Sequence, residues 1–146
     1  MAFTKTAYTI LIVDDNPTLL DLIEESLMVI GNFTVVTATN GAEGLQRYYE
    51  IRPDCMVIDV KMPQLDGYQL VRALRGDPDS AETPLILLTA MARDYQRFAG
   101  LASGADQYLL KPIRPRELVE AIQRAIATTE ETRMDILRRL VEEEVH

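Results

Sequence analysis

The chain has 146 residues, enough for one domain with a real core, and is 47% hydrophobic and 26% charged. With 23 Asp+Glu against 15 Lys+Arg the formal net charge is −8, which argues against direct binding to nucleic acid or to an anionic membrane. No apolar run approaches membrane-spanning length, the N-terminus lacks the apolar stretch of a secretory signal, and Cys55, the single cysteine, cannot form an internal disulfide; the expected location is the cytoplasm.

Short apolar runs alternate with longer helical patterns. "YTILIVDD" (8–15) reads as the first strand, bounded by Asn16 as a helix N-cap and Pro17 in the first turn. Leu20, Ile23, Leu27 and Ile30 follow at helical spacing, with Gly31 expected to close the helix. "FTVVTAT" (33–39) is a second strand, and Asn40 opens a second helix that ends before Pro53. "DCMVID" (54–59) is a third strand, which makes Cys55 a packing residue. A third helix is expected around 66–75, a polar loop over 76–83 and a fourth strand, "PLILLTA", over 84–90. A fourth helix is expected over about 93–102, a fifth strand, "QYLLK", over 107–111, and a fifth helix from Pro115 carrying Leu118, Val119, Ile122 and Ile126. This alternation, with near-continuous apolar strands, predicts a parallel sheet covered by helices on both faces.

In such folds ligands bind outside the carboxyl ends of the strands. The strand ends here offer Asp14 and Asp15, Asp59, Thr89 and Lys111. Taken singly, each has a plain structural reading. The acid pair could stabilise the start of the first helix, Thr89 could cap a turn, and Lys111 could be solvated. A carboxylate ending a buried strand, however, needs a partner. Three carboxylates brought together repel one another and raise at least one pKa. A Mg²⁺ ion resolves that conflict, because hard cations take carboxylate and carbonyl oxygens. An ionised carboxylate beside it can attack a phosphoryl group, while a lysine and a hydroxyl bind phosphoryl oxygens.

"LIVDDN", "MVIDVKMPQLDG", "PLILLTA" and "GADQYLLKP" together resemble the receiver domain of two-component response regulators, of the kind found in single-domain chemotaxis regulators. The resemblance spans about residues 8–127. It divides the chain into a receiver domain, 1–127, and a C-terminal helical extension, 128–146. It implies an α/β, flavodoxin-like, doubly wound five-stranded parallel sheet of order 2-1-3-4-5 with five helices. It implies that Asp14, Asp15, Asp59 and the carbonyl of Lys61 hold Mg²⁺, and that Asp59 accepts the phosphoryl group. Thr89 and Lys111 would bind that group, Tyr108 would move inward as Thr89 is drawn to it, and Lys111-Pro112 would be cis. The chain would catalyse only its own phosphorylation and dephosphorylation. The donor would be a sensor histidine kinase, a phosphotransfer protein or a small phospho-donor, and the output a protein contact.

Other classes fit less well. A haloacid dehalogenase-type phosphatase usually has a second Asp two residues after the first, where this chain has Lys61. A flavodoxin-like electron carrier would want a Ser/Thr-rich loop after the first strand, and a dinucleotide-binding domain would want GxGxxG there. A receiver-like scaffold that binds without phosphorylation is countered by the intact Asp15, Asp59, Thr89 and Lys111. Lys61 reads equally as a cation near the phosphoryl oxygens and as a solvated side chain. Met91 reads as packing or surface, and His146, the single histidine, as a solvated end. In the tail, Thr128 with Glu131 fits a capping box for a separate helix, and continuation of the fifth helix fits as well. Met134, Leu137, Val141 and Val145, widened by Leu140, form an apolar stripe expected to pack on the domain or on a second copy of the chain.

Overall fold

The computed structural model describes residues 7–93 and 104–145. Its elements are β1 (Thr9–Val13), α1 (Pro17–Gly31), β2 (Thr34–Ala38), α2 (Gly41–Ile51), β3 (Cys55–Asp59), α3 (Gly67–Gly76), β4 (Leu85–Thr89), β5 (Gln107–Leu110) and α4 (Pro115–Val145). The strands form one parallel sheet of order β2-β1-β3-β4-β5, as expected. Among the described residues there are four helices, and the helix expected over about 93–102 lies almost wholly outside them. The expected fifth helix and the extension are one helix, α4, of 31 residues. No Gly or Pro interrupts residues 116–145, and the Thr129 hydroxyl bonds back to the Ala125 carbonyl at 3.0 Å, so nothing ends the helix near Thr128.

The continuous apolar strands are explained by burial on both sides. Ile10, Ile12, Cys55, Val57, Ile86 and Leu88 face one core cluster, completed by Leu20 and Leu27 of α1 and Leu118, Ile122 and Ala125 of α4. Their alternates Leu11, Val13, Met56, Ile58, Leu85 and Leu87 face a second cluster with Tyr48 of α2 and Leu70, Val71 and Leu74 of α3. Parallel register then carries all the strand exits to one edge. Asp14 N donates to Ala38 O, Val60 N to Leu88 O and Lys111 N to Thr89 O.

At the opposite edge, acids have structural work. Asp54 accepts from Thr9 N at 2.9 Å, and Asp106 accepts from Leu85 N at 2.8 Å and Arg75 at 2.9 Å. No helix among the described residues is long and apolar enough to cross a membrane.

Candidate functional site

The carboxyl edge of the sheet opens into a cleft of about 550 Å³. Asp14 follows β1 and is 2% exposed; Asp59 ends β3 and is 7% exposed. Asp15 is exposed at the rim. One carboxylate oxygen from each of Asp14, Asp15 and Asp59 lies within 4.8 Å of the other two. The backbone holds this cluster in place. Asp14 Oδ1 accepts from Asn16 N at 2.9 Å, and Asn16 caps α1 by accepting from Thr18 N and Leu19 N, so the acid pair and the helix start are one rigid turn.

Lys111 answers the charge. Its Nζ lies 2.8 Å from Asp59 Oδ1 and 3.1 Å from Asp14 Oδ2. Burial pushes the Asp59 carboxyl above its ordinary value; Lys111 draws it back, and Asp14 and then Asp15 push it up again. Burial acts to depress the Lys111 ammonium, yet the hydrogen bonds and charges of Asp59 and Asp14 together raise it. Thr89, 3% exposed, ends β4, and its hydroxyl oxygen accepts from Met91 N at 3.1 Å. The Lys111-Pro112 peptide is cis.

α3 starts hard against the end of β3. A Cβ at Gly67 would lie 2.6 Å from the Asp59 carbonyl oxygen and 2.8 Å from Val60 Cα, both backbone, so only glycine fits there. Gly67 N donates to Val60 O, and Asp66 and Gln69 close a capping box.

The structure therefore brings Asp14, Asp15, Asp59, Thr89 and Lys111 together. Lys61 lines the cleft with an exposed side chain, and Met91 is 48% exposed beside it. Tyr108 lies outside the cleft, buried on the α3 side of the sheet. Cys55 is fully buried and its thiol is pushed up by that burial, as befits a packing group. The sequence reading missed Tyr68, which lines the cleft and bonds Tyr108 hydroxyl to hydroxyl. Its one signal was its place directly after Gly67.

Fold and cleft define a doubly wound α/β protein that gathers acids, a hydroxyl and a lysine at a single sheet edge. The chain belongs to the response regulator receiver domain family, whose model matches residues 10–123, and so to the receivers of two-component signal transduction. It is 39% identical over 125 residues to the Guillardia theta protein named "Probable transcriptional regulator ycf27", covering 86% of this chain and 48% of that protein. The chain thus spans about half the length of the curated relatives it matches. Among solved structures it resembles the receiver domain of a signal transduction histidine kinase from Syntrophus aciditrophicus. That match has 36% identity and a TM-score of 0.75, covering 84% of this chain and 92% of that one. It also resembles the Vibrio cholerae chemotaxis protein CheY4, with 31% identity and a TM-score of 0.74, covering 82% and 99%.

Proposed function

We propose that this receiver is a phosphoryl-accepting switch in which Asp59 takes a phosphoryl group from a phosphohistidine of a sensor histidine kinase or phosphotransfer protein, or from a small phospho-donor. The observation that carries the reading is the convergence of three carboxylates within 4.8 Å beside the Lys111 ammonium. Three close oxygen donors suit Mg²⁺, and Asp14, Asp15, Asp59 and the Lys61 carbonyl are the groups that would hold it. When bound, the ion supplies charge neutralisation for the phosphoryl oxygens.

The chain's own groups do the rest. An Asp59 carboxylate oxygen attacks phosphorus as the bond from phosphorus to the donor breaks, and the donor leaves as free imidazole or acetate. The Lys111 ammonium, already 2.8 Å from Asp59, follows the charge onto the new phosphoryl oxygens. The Thr89 hydroxyl donates a hydrogen bond to another of them. The resulting change in the surface near Tyr108 is the signal read by an output protein. In this reading the chain acts only on itself, works in the cytoplasm and contacts no nucleic acid directly. A second copy of the chain covers the apolar stripe of its tail.

The test is incubation with Mg²⁺ and acetyl phosphate followed by intact-mass measurement. The parent gains one phosphoryl group, and Asp59→Asn gains none. Substantial uptake by Asp59→Asn would overturn the assignment of the acceptor. No uptake by the parent would favour a receiver-like scaffold.

A further inference from the structure

Tyr68 stands in the first turn of α3, next to Gly67, whose backbone is wedged against Asp59 and Val60. It lines the acidic cleft together with Asp59 and Lys61. Its hydroxyl is hydrogen bonded to the hydroxyl of Tyr108 on β5. The two rings lie nearly parallel, 15° apart with centroids 6.2 Å from one another. Tyr108 is 8% exposed and packs in the core cluster that contains Leu70, Val71 and Leu87.

A phenol turned into a core needs a partner for its hydroxyl. Tyr68 offers one from an element anchored at the phospho-acceptor strand. We propose that Tyr68 is a positioning residue, whose hydroxyl holds Tyr108 in its inward position and so ties the acidic cleft to the outer face of β5. Because Tyr68 both lines the cleft and bonds Tyr108, a ligand that engages the cleft with Tyr68 in this place favours inward Tyr108, and the dependence is reciprocal. Only this reciprocal part rests on the phosphoryl-accepting reading of the cleft. One hydroxyl–hydroxyl bond shifts the ratio of inward to outward Tyr108 by about two- to tenfold.

The test uses the full chain with ¹³C-labelled tyrosine side chains, the Tyr108 signal being assigned with Tyr108→Phe. In ligand-free protein, Tyr68→Phe moves the Tyr108 signal toward that of a solvent-exposed tyrosine. A Tyr108 signal that stays in place would overturn the proposal. With Mg²⁺ and beryllofluoride as the phosphoryl mimic, Tyr68→Phe weakens beryllofluoride affinity in the parent background, by at most about tenfold, and leaves it unchanged on a Tyr108→Phe background. An equal loss in both backgrounds would mean that Tyr68 acts on cleft shape alone, and would also overturn the proposal. If the parent binds no beryllofluoride, the phosphoryl-accepting reading fails, while the ligand-free Tyr108 signal still decides the role of Tyr68.

Discussion

Asp59 is held in a setting that disfavours its own charge. Burial, and then the charges of Asp14 and Asp15, raise its carboxyl pKa against the pull of Lys111. The folded carboxyl therefore keeps its proton to higher pH than the unfolded one. The stability it contributes is fully present below the ordinary carboxylate value and is lost as pH rises through the raised folded value. At neutrality and without metal, ionised Asp59 is a net cost to the fold. Asp59→Asn should accordingly melt higher than the parent at pH 7 in EDTA. The gain should vanish near pH 3. Equal melting of the two at neutral pH would show that the Lys111 pairing fully offsets burial. The five residues of this cleft were legible because parallel strands must deliver their exits to one edge, so strand-end polarity reads directly as a site. Tyr68 was not legible, because an aromatic in a first helical turn carries no pattern of its own. Its meaning comes from a partner forty positions away on β5.

At the scale of elements, the helix starts were written in side chains. Asn16, Asn40 and Asp66 each accept from backbone amides of the turn they open. Asn16→Ala should lower the melting temperature by about 2–4 °C, the usual cost of about 1 kcal/mol for a lost N-cap. Thermal unfolding followed by circular dichroism checks it, and no loss would mean that Pro17 alone sets the start of α1. The helix ends were read less well. Gly31 was expected to close α1, but the left-handed residue is Asn32, with φ 54°. Gly31 serves space instead, since a Cβ there would lie 2.5 Å from the Phe33 ring. α2 ends in a left-handed Arg52, φ 47°, which no sequence rule favours. At residue 128 both a cap and a continuation satisfied the local pattern. With no Gly or Pro to break it, the helix runs on through Thr128 and Thr129.

For the whole molecule, the consequence of that continuation is reach. A helix of 31 residues is about 46 Å long, more than the domain needs to cover one sheet face. Tyr8 reaches Glu130 at 3.2 Å and Arg133 reaches Glu82 at 3.6 Å, which places residues 130–133 still against the domain. Farther on, Met134, Leu137, Leu140 and Val141 are each more than half exposed, so the domain leaves most of the described part of the stripe uncovered. An apolar stripe left in water contributes nothing to holding the far end of α4, and a helix is marginal without packing. In the proposed reading a second copy of the chain covers the stripe. Removing residues 137–146 should leave acetyl phosphate uptake and Mg²⁺ affinity within about twofold of the parent, because among the described residues none beyond Lys111 lines the cleft. It should also reduce the mass seen by light scattering coupled to size exclusion from that of a dimer to that of a monomer. The paired substitution Leu137→Glu and Leu140→Glu, which keeps the helix while charging the stripe, should do the same. A parent chain that elutes with monomer mass at every concentration tried would leave the stripe without a second copy as its cover.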